Sequence, residues 1–332
     1  LTALIRELHA RWRAPVDLVT SGPWSEPLLR GQPGVGEIHT IRSRKTPYWL
    51  ATDQWRLVRG LRARGAGAVW LCDDNAEERR LLARAGLGAD CIVDVRDHPL
   101  LPEEHATDQW RRLATFVPRC WSGRTPVGEF TTLRGGSLCV SAAARDDLDR
   151  WLAKRGIGDA PLVLLQAGNK RTMRRGFKRL AVNHKYWPDE RWAEVVRAVH
   201  AERPGHLIVL LGTGPEYALN RQIATLAAVD RIVNAADDLP VGRLVALLAR
   251  AEALITVDSG PAHAAAAVGC PLVVLFGRAS PTLYRPRGVA DAAVELLRGT
   301  VDGQASMLGI SPEEVIAAWR RLPLRAAAGT CA

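Results

Sequence analysis

Residues 253–277 read ALITV-DSGP-AHAAAAV-GCP-LVVLFG, and this stretch indicates the fold class. The apolar run Ala253–Val257 predicts a strand, residues 258–261 a polar turn, and the small residues at about 262–268 a helix. A glycine and a proline end that helix, and the β-branched run Leu272–Phe276 is typical of a strand buried in a parallel sheet. The order strand, turn, helix, strand predicts an α/β fold.

The polar turn has the position of an anion site. It follows the carboxyl end of a strand and precedes the amino end of a helix, where free N–H groups and the helix dipole favour phosphate. Asp258 would place a carboxylate at the edge of this pocket. Gly260 lets a ligand approach the backbone, and since proline has no N–H, the expected donors are Gly260, Ala262 and His263. The alternative interpretation is that Asp258 and Ser259 cap the helix.

Three motifs together resemble glycosyltransferase family 9, the ADP-heptose:lipopolysaccharide heptosyltransferases. The first is DSGPAH at 258–263, with the alanine-rich helix and the strand ending in Phe-Gly after it. The second is VLLQAG at 163–168 followed by KYWPDERW at 185–192, and the third is LLGTGPE at 210–216. The third motif lacks the last glycine of a dinucleotide fingerprint, so it is only a weak indication of NAD binding. The resemblance implies an α/β GT-B fold, in which two Rossmann-like domains face each other across a cleft.

The resemblance also implies roles for individual residues. Asp258 would hydrogen-bond the donor sugar or orient its diphosphate, and Lys185 would neutralise the departing nucleoside diphosphate, on which charge builds in the transition state. Glu216 would bind the ribose, Leu239 would line the adenine pocket, and His263 would contact the diphosphate. The remaining donor-binding candidates are Gly168, Asn169, Ser259, Gly260 and Ala262.

Each charged candidate has an ordinary structural interpretation as well. A single lysine such as Lys185 is by default solvated, and Glu216 is also explained as a first-turn carboxylate that the helix dipole favours. His263 has no serine or cysteine at a fixed spacing that would indicate a triad, so it is not assigned as a base.

The activity that the resemblance implies is an inverting glycosyl transfer. The donor would be ADP-heptose, and the acceptor lipopolysaccharide core or another anionic glycolipid. No cofactor or metal is expected, since the sequence shows no carboxylate cluster for Mg²⁺. Two alternatives stay open: a catalytically silent nucleotide-sugar-binding protein, and a nucleotide-sugar epimerase of the same architecture. The implied location is the cytoplasm, with peripheral contact to an anionic membrane at the inner face of the inner membrane.

The length of 332 residues predicts two domains. We expect a Rossmann-like acceptor-binding domain at 1–157 and a nucleotide-sugar-binding domain at 158–332, joined by the linker 156–161. In the first domain, strands are predicted at 16–20, 37–41, 66–71, 90–95 and 137–140, and helices at 52–64, 76–85 and 146–155. In the second, strands at 162–166, 207–211, 231–233, 253–257 and 272–276 alternate with helices at 189–202, 218–228 and 241–250, and Ser311 begins a last helix.

The first residues have the apolar spacing of a helix that is already under way at Leu1. The next predicted element is a strand, so a strand and its loop are expected ahead of the sequence. In the family that loop contains Gly-Asp, and the resemblance implies that its Asp is the general base.

The net charge of +10 favours contact with anionic surfaces. The arginines are spread through helices without any nucleic-acid motif, so no nucleic-acid partner is expected. The most basic segment, residues 170–185, is typical of a solvated loop, and contact with an anionic acceptor or with headgroups is a second hypothesis for it. The six cysteines are scattered, which favours reduced thiols over disulfides or zinc.

Overall fold

The structure is a computed structural model that describes residues 1–42, 46–65, 67–169, 184–289 and 293–323. The chain divides into two units, Leu1–Arg134 and Gly135–Ala332, both of α/β construction. Within the described ranges, no helix is long and apolar enough to cross a membrane.

The N-terminal unit contains two pairs of parallel strands. The strands are β1 (Val16–Thr20), β2 (Val35–Thr40), β3 (Val69–Leu71) and β4 (Ile92–Asp94). β1 pairs with β2, and β3 pairs with β4. The helices are α1 (Thr2–Trp12), α2 (Ser25–Leu29), α3 (Thr52–Arg64), α4 (Ala76–Arg84) and α5 (Ala106–Leu113), with 3₁₀ turns at Tyr48–Leu50, Ala89–Cys91, Val95–Asp97 and Arg119–Trp121.

One carboxylate, that of Glu7 in α1, lies fully inside this unit. It accepts hydrogen bonds of 2.8 Å from both the backbone N–H and the hydroxyl of Thr131. Two guanidinium groups neutralise it, Arg111 at 3.2 Å and Arg6 at 3.4 Å. A buried charge needs such partners, and these bonds attach the loop around Thr131 to α1.

The C-terminal unit is built on one six-stranded parallel sheet. Its strands are β5 (Leu162–Gln166), β6 (Leu207–Leu210), β7 (Ile232–Asn234), β8 (Ala253–Val257), β9 (Leu272–Phe276) and β10 (Val294–Arg298). They run in the order β10-β9-β8-β5-β6-β7. The helices are α6 (Ala142–Lys154), α7 (Asp189–Glu202), α8 (Tyr217–Ala227), α9 (Val241–Arg250), α10 (Gly260–Ala267), α11 (Pro281–Tyr284) and α12 (Pro312–Arg321), and a short hairpin pairs β11 (Thr300–Val301) with β12 (Gln304–Ala305).

The core of this unit lies where the sheet meets its helices. Every residue of β5, β6, β8 and β9 is buried, as the continuous apolar runs predict. The apolar face of α7, including Trp192, is completely buried. Trp187 packs edge-on against Trp192, with 4.9 Å between the ring centroids, and its indole N–H donates to the carbonyl of Ile310 at 3.0 Å. These contacts fix the segment that leads into α7.

The boundary between the units differs from the prediction. It lies between Arg134 and Gly135, not between residues 157 and 158, and the predicted strand at 137–140 is irregular chain. The reason is the packing of α6, in which Trp151 donates to Asp238 at 3.0 Å. Arg243 of α9 bridges Asp238 at 2.8 Å and Asp147 at 2.9 Å, and its hydrogen bond holds the pKa of Asp147 below the usual value. The segment before the predicted linker therefore belongs to the C-terminal unit.

Most of the remaining predicted elements are confirmed. The predicted bounds of α3, α7, α9, β1, β5, β8 and β9 are those of the structure. The capping box at Ser311 is present, with Ser311 and Glu314 each accepting from the other's backbone N–H. The helix α5 and the strand β10 were not predicted, because α5 is mostly polar and β10 lies at the edge of the sheet.

Candidate active site

The predicted site residues of the C-terminal unit gather at the carboxyl ends of β5 and β8. The strand order reverses between these two neighbours, because β6 and β7 lie on one side and β9 and β10 on the other. In parallel α/β sheets such a reversal opens a crevice outside the carboxyl ends of the strands, where ligands bind. Gln166 ends β5, and Asp258 follows β8 directly.

An ion pair joins Lys185 and Asp258 in this crevice. The ammonium nitrogen of Lys185 lies 2.7 Å from Oδ2 of Asp258 and 2.6 Å from its backbone carbonyl oxygen. The side chains are 24% and 11% exposed, so the pair is sheltered but reachable. Asn169 reaches the same segment, since its amide donates to the carbonyl of Lys185 at 3.3 Å. Asp258 therefore holds the ammonium of Lys185, and Asn169 holds the backbone of the same residue.

The amino end of α10 faces the same crevice without a side-chain cap. Ser259 occupies the N-cap position, but its side chain does not bond to the first turn. Its hydroxyl instead donates to Oε1 of Gln166 at 3.2 Å. The side chain of Ser259 thus does not cap α10, and the first N–H groups of the helix have no intrahelical partner.

The residues that follow leave room for a ligand. Gly260 is exposed, and a β-carbon built on it would meet no atom within 4 Å. The side chain of Ala262 is fully buried, which leaves only its backbone N–H for a ligand. His263 is 49% exposed, with Nε2 at 3.9 Å from Oδ1 of Asp258. His263 therefore lies beside the ion pair, and Gly260 leaves the amino end of α10 open to a ligand.

One carboxylate oxygen of Glu216 accepts hydrogen bonds, and the other has no hydrogen-bond partner among the described residues. Its Oε2 accepts from the backbone N–H of Thr213 at 2.8 Å and from the Thr213 hydroxyl at 2.7 Å. Its Oε1 is buried and has no hydrogen-bond partner among the described residues. That oxygen lies against Gly168, where an added β-carbon would overlap it. A buried unsatisfied acceptor costs free energy, which a donor from a ligand would recover.

Two further predictions concern Leu239 and the basic segment at 170–185. Leu239 is half-buried between β7 and α9, and its contact with an adenine stays a prediction. The basic segment falls mainly at residues 170–183, which lie outside the described residues. Among the described residues, no group of three or more His, Cys, Asp or Glu side chains is placed to hold a metal ion.

Sequence reasoning missed Gln166 and Thr256. The two face each other in register on β5 and β8, and both are buried. Oε1 of Gln166 accepts from Ser259 at 3.2 Å and from the Thr256 hydroxyl at 3.5 Å. The signal was present as a polar residue within each of two otherwise apolar strands at the switch point. Gln166 thus holds Ser259 away from the helix terminus.

Comparison with known proteins finds the same family that the sequence motifs resemble. Residues 178–302 match the model of glycosyltransferase family 9 (heptosyltransferase). Lipopolysaccharide heptosyltransferase 2 of Salmonella typhimurium is 30% identical over 146 residues, which are 40% of this chain and 41% of that protein. The chain thus aligns with less than half the length of this curated relative.

Two solved structures share the fold over almost the whole chain. The family 9 glycosyl transferase of Veillonella parvula superposes with a TM-score of 0.76 at 19% identity, covering 96% of this chain and 91% of that one. The ADP-heptose lps heptosyltransferase II of E. coli gives a TM-score of 0.68 at 20% identity, covering 96% and 92%. The GT-B fold class is confirmed.

Proposed function

We propose that this chain, whose C-terminal unit belongs to glycosyltransferase family 9, transfers heptose from ADP-heptose to a lipopolysaccharide-core acceptor with inversion at the anomeric carbon. The donor and the acceptor are proposed by analogy with the relatives, which include an ADP-heptose lps heptosyltransferase. The reaction would take place in the cytoplasm, at the inner face of the inner membrane. The N-terminal unit would hold the acceptor.

One observation carries the proposal: a cation, a carboxylate and an uncapped helix terminus converge at the switch point beside a carboxylate with a vacant oxygen. Lys185 and the N–H groups of Gly260 and Ala262 would bind the diphosphate, for which a helix terminus is suited. A ribose hydroxyl would donate to Oε1 of Glu216, the buried acceptor without a partner. A nucleoside diphosphate supplies both the anion and the donor.

The chemistry would be a single displacement. A bond forms between the acceptor oxygen and the anomeric carbon while the bond to the β-phosphate oxygen breaks, and the acceptor's proton passes to a base. Charge builds on the leaving diphosphate, where Lys185 and the helix terminus stabilise it most in the transition state. Asp258 would orient the ammonium and the sugar. Neither Asp258 nor Glu216 is assigned as the base, because Lys185 and Thr213 already donate to them.

The direct test is a binding and turnover series. We expect calorimetry to give tighter binding of ADP than of UDP, GDP or dTDP, and we expect ADP-heptose to be consumed only when a lipopolysaccharide-core acceptor is present. Sugar turnover without any acceptor would favour the epimerase alternative. Binding of ADP without any transfer would favour the silent binding protein. Preference for another nucleotide would contradict the donor assignment.

Loss of the Lys185 ammonium should weaken binding of the diphosphate itself. For Lys185→Ala we expect ADP affinity to fall by roughly 1–3 kcal/mol, the range for one charge-assisted contact. Calorimetry with ADP alone measures it. Lys154→Ala, at an exposed lysine of α6, serves as the control and should bind like the wild type. Equal ADP affinity in both variants would show that Lys185 does not contact the diphosphate.

A methyl group at Gly168 should disturb the site through Glu216. The β-carbon of Gly168→Ala would overlap Oε1 of Glu216, whose carboxylate Thr213 holds in place. We expect ADP to bind about tenfold more weakly, as is usual for a 1–3 kcal/mol overpacking cost. Gly205→Ala, where an added β-carbon meets nothing within 4 Å, is the matched control. Unchanged ADP affinity would mean that the position of Glu216 does not matter for the nucleotide.

A further inference from the structure

The N-terminal unit carries an exposed aromatic and cationic surface, which we call the Trp49 surface. It consists of Trp49, Leu50, Trp55, Arg56 and Arg59. The first three are 69%, 59% and 47% exposed. Large apolar side chains that are about half exposed or more, and that lie close together in one segment, indicate an interaction site.

Local structure holds these side chains outward. The 3₁₀ turn Tyr48–Leu50 leads directly into α3, which buries Gln54, Leu57 and Val58 on its inner face. Trp55 and Arg59 are four residues apart and therefore neighbours on the outer face. Trp55 lies beside the ring of Tyr48, with 6.1 Å between centroids. The outer face is therefore apolar at its start and cationic further along.

The charge of the Trp49 surface has one sign. Within the described residues, Arg56 and Arg59 form no ion pair, whereas Arg64 at the end of the same helix bridges Asp17 and Glu37. The acidic residue of α3, Asp53, accepts from the backbone N–H of Arg42 at 2.7 Å and from that of Gln54 at 3.0 Å. The two arginines are thus available for an external anion.

We propose that the Trp49 surface docks on a bilayer that contains anionic phospholipid. Tryptophan prefers the level of the headgroups, and arginine binds the phosphates there. An amphipathic segment with aromatic and cationic residues and no exposed acid is what an interfacial helix presents to lipid. The inference rests on the membrane location in the proposed function and deepens it, because it names the surface that would hold the chain there and the lipid that this surface would bind.

The test measures flotation of the full chain with vesicles. The probes are phosphatidylethanolamine vesicles containing phosphatidylglycerol and neutral phosphatidylcholine vesicles. We expect the wild type to bind only the anionic ones, and less as salt rises. Arg56→Gln with Arg59→Gln should reduce binding about fivefold for each arginine, and Trp49→Ser with Trp55→Ser by at least about tenfold. The controls Val127→Ser and Arg150→Gln, at exposed side chains elsewhere, should bind like the wild type.

The outcomes separate docking from transfer. ADP affinity should be the same in all variants, which shows that they are folded and that the nucleotide site is independent of docking. Vesicle binding that persists in both double variants overturns the docking proposal, whatever the transfer assay gives. So does a wild type that binds neutral vesicles equally well. A wild type that dimerises through these residues and ignores vesicles would assign the surface to a second copy. Absence of sugar transfer together with intact vesicle binding overturns only the proposed function.

Discussion

Replacement of Asp258 by alanine is expected to lower kcat/KM for sugar transfer by about two orders of magnitude or more. The carboxylate holds the Lys185 ammonium at 2.7 Å, so its loss would remove the proposed contact to the donor and would release the cation that is proposed to stabilise the leaving diphosphate. The fold should remain intact, because Lys185 is partly exposed and can turn to water. The measurement is steady-state transfer, with thermal unfolding as the check on folding.

Two further variants show how Asp258 acts. Asp258→Asn keeps the shape of the side chain and removes the charge, so it should lose nearly as much activity as alanine if the ion pair matters. The double variant Asp258→Ala with Lys185→Ala should lose less than the product of the single effects, because the two residues act as one unit. Full activity of Asp258→Ala together with a normal melting curve would contradict the assignment of Asp258 to the active site.

The second large effect is expected on stability. Glu7→Ala should lower the free energy of unfolding of the N-terminal unit by about 3–5 kcal/mol, the usual result of breaking a buried ion pair on one side. The change leaves Arg111 without its partner at 3.2 Å and leaves two groups of Thr131 without an acceptor. Urea unfolding, followed by hydrogen exchange of α1, measures the loss.

Glu26→Ala is the control for this stability prediction. Glu26 pairs with Arg30 on the surface of α2, and exposed pairs of this kind contribute little. ADP affinity of the C-terminal unit should stay unchanged in both variants. A Glu7 variant as stable as the Glu26 variant would show that the buried network is not a stabilising feature of this unit.

The sequence predicted best where local pattern and tertiary packing agree. The strands β8 and β9 and the face of α7 are apolar at the period that their burial requires, so their bounds are those observed. The helix α10 was also predicted, but it begins at Gly260, two residues before the predicted start. Residues 137–140 look like a strand locally but pair with no strand among the described residues, and the backbone N–H of Leu138 donates to the carbonyl of Ala267 at 3.0 Å. Pairing between strands that are far apart in sequence cannot be predicted from the few residues of one strand.

The candidate site shows the same division. Lys185, Asp258 and Glu216 were identified from motifs, but the contact between Lys185 and Asp258 spans 73 residues of chain and becomes visible only in three dimensions. The role of Gln166 was missed because it depends on Ser259, which reaches it from the next strand. Glu7 was missed since an isolated glutamate in an amphipathic helix is ordinarily on the surface.

The bond from Ser259 to Gln166 has a consequence for the first turn of α10. A serine at that position would ordinarily complete the first turn of its helix, and here it is drawn away toward the sheet. The side chain of Ser259 therefore accepts no hydrogen bond from the first turn, and an anion bound there would supply that acceptor. Binding of the proposed donor and stabilisation of this turn would then be thermodynamically linked, so the nucleotide would contribute to the stability of its own binding site.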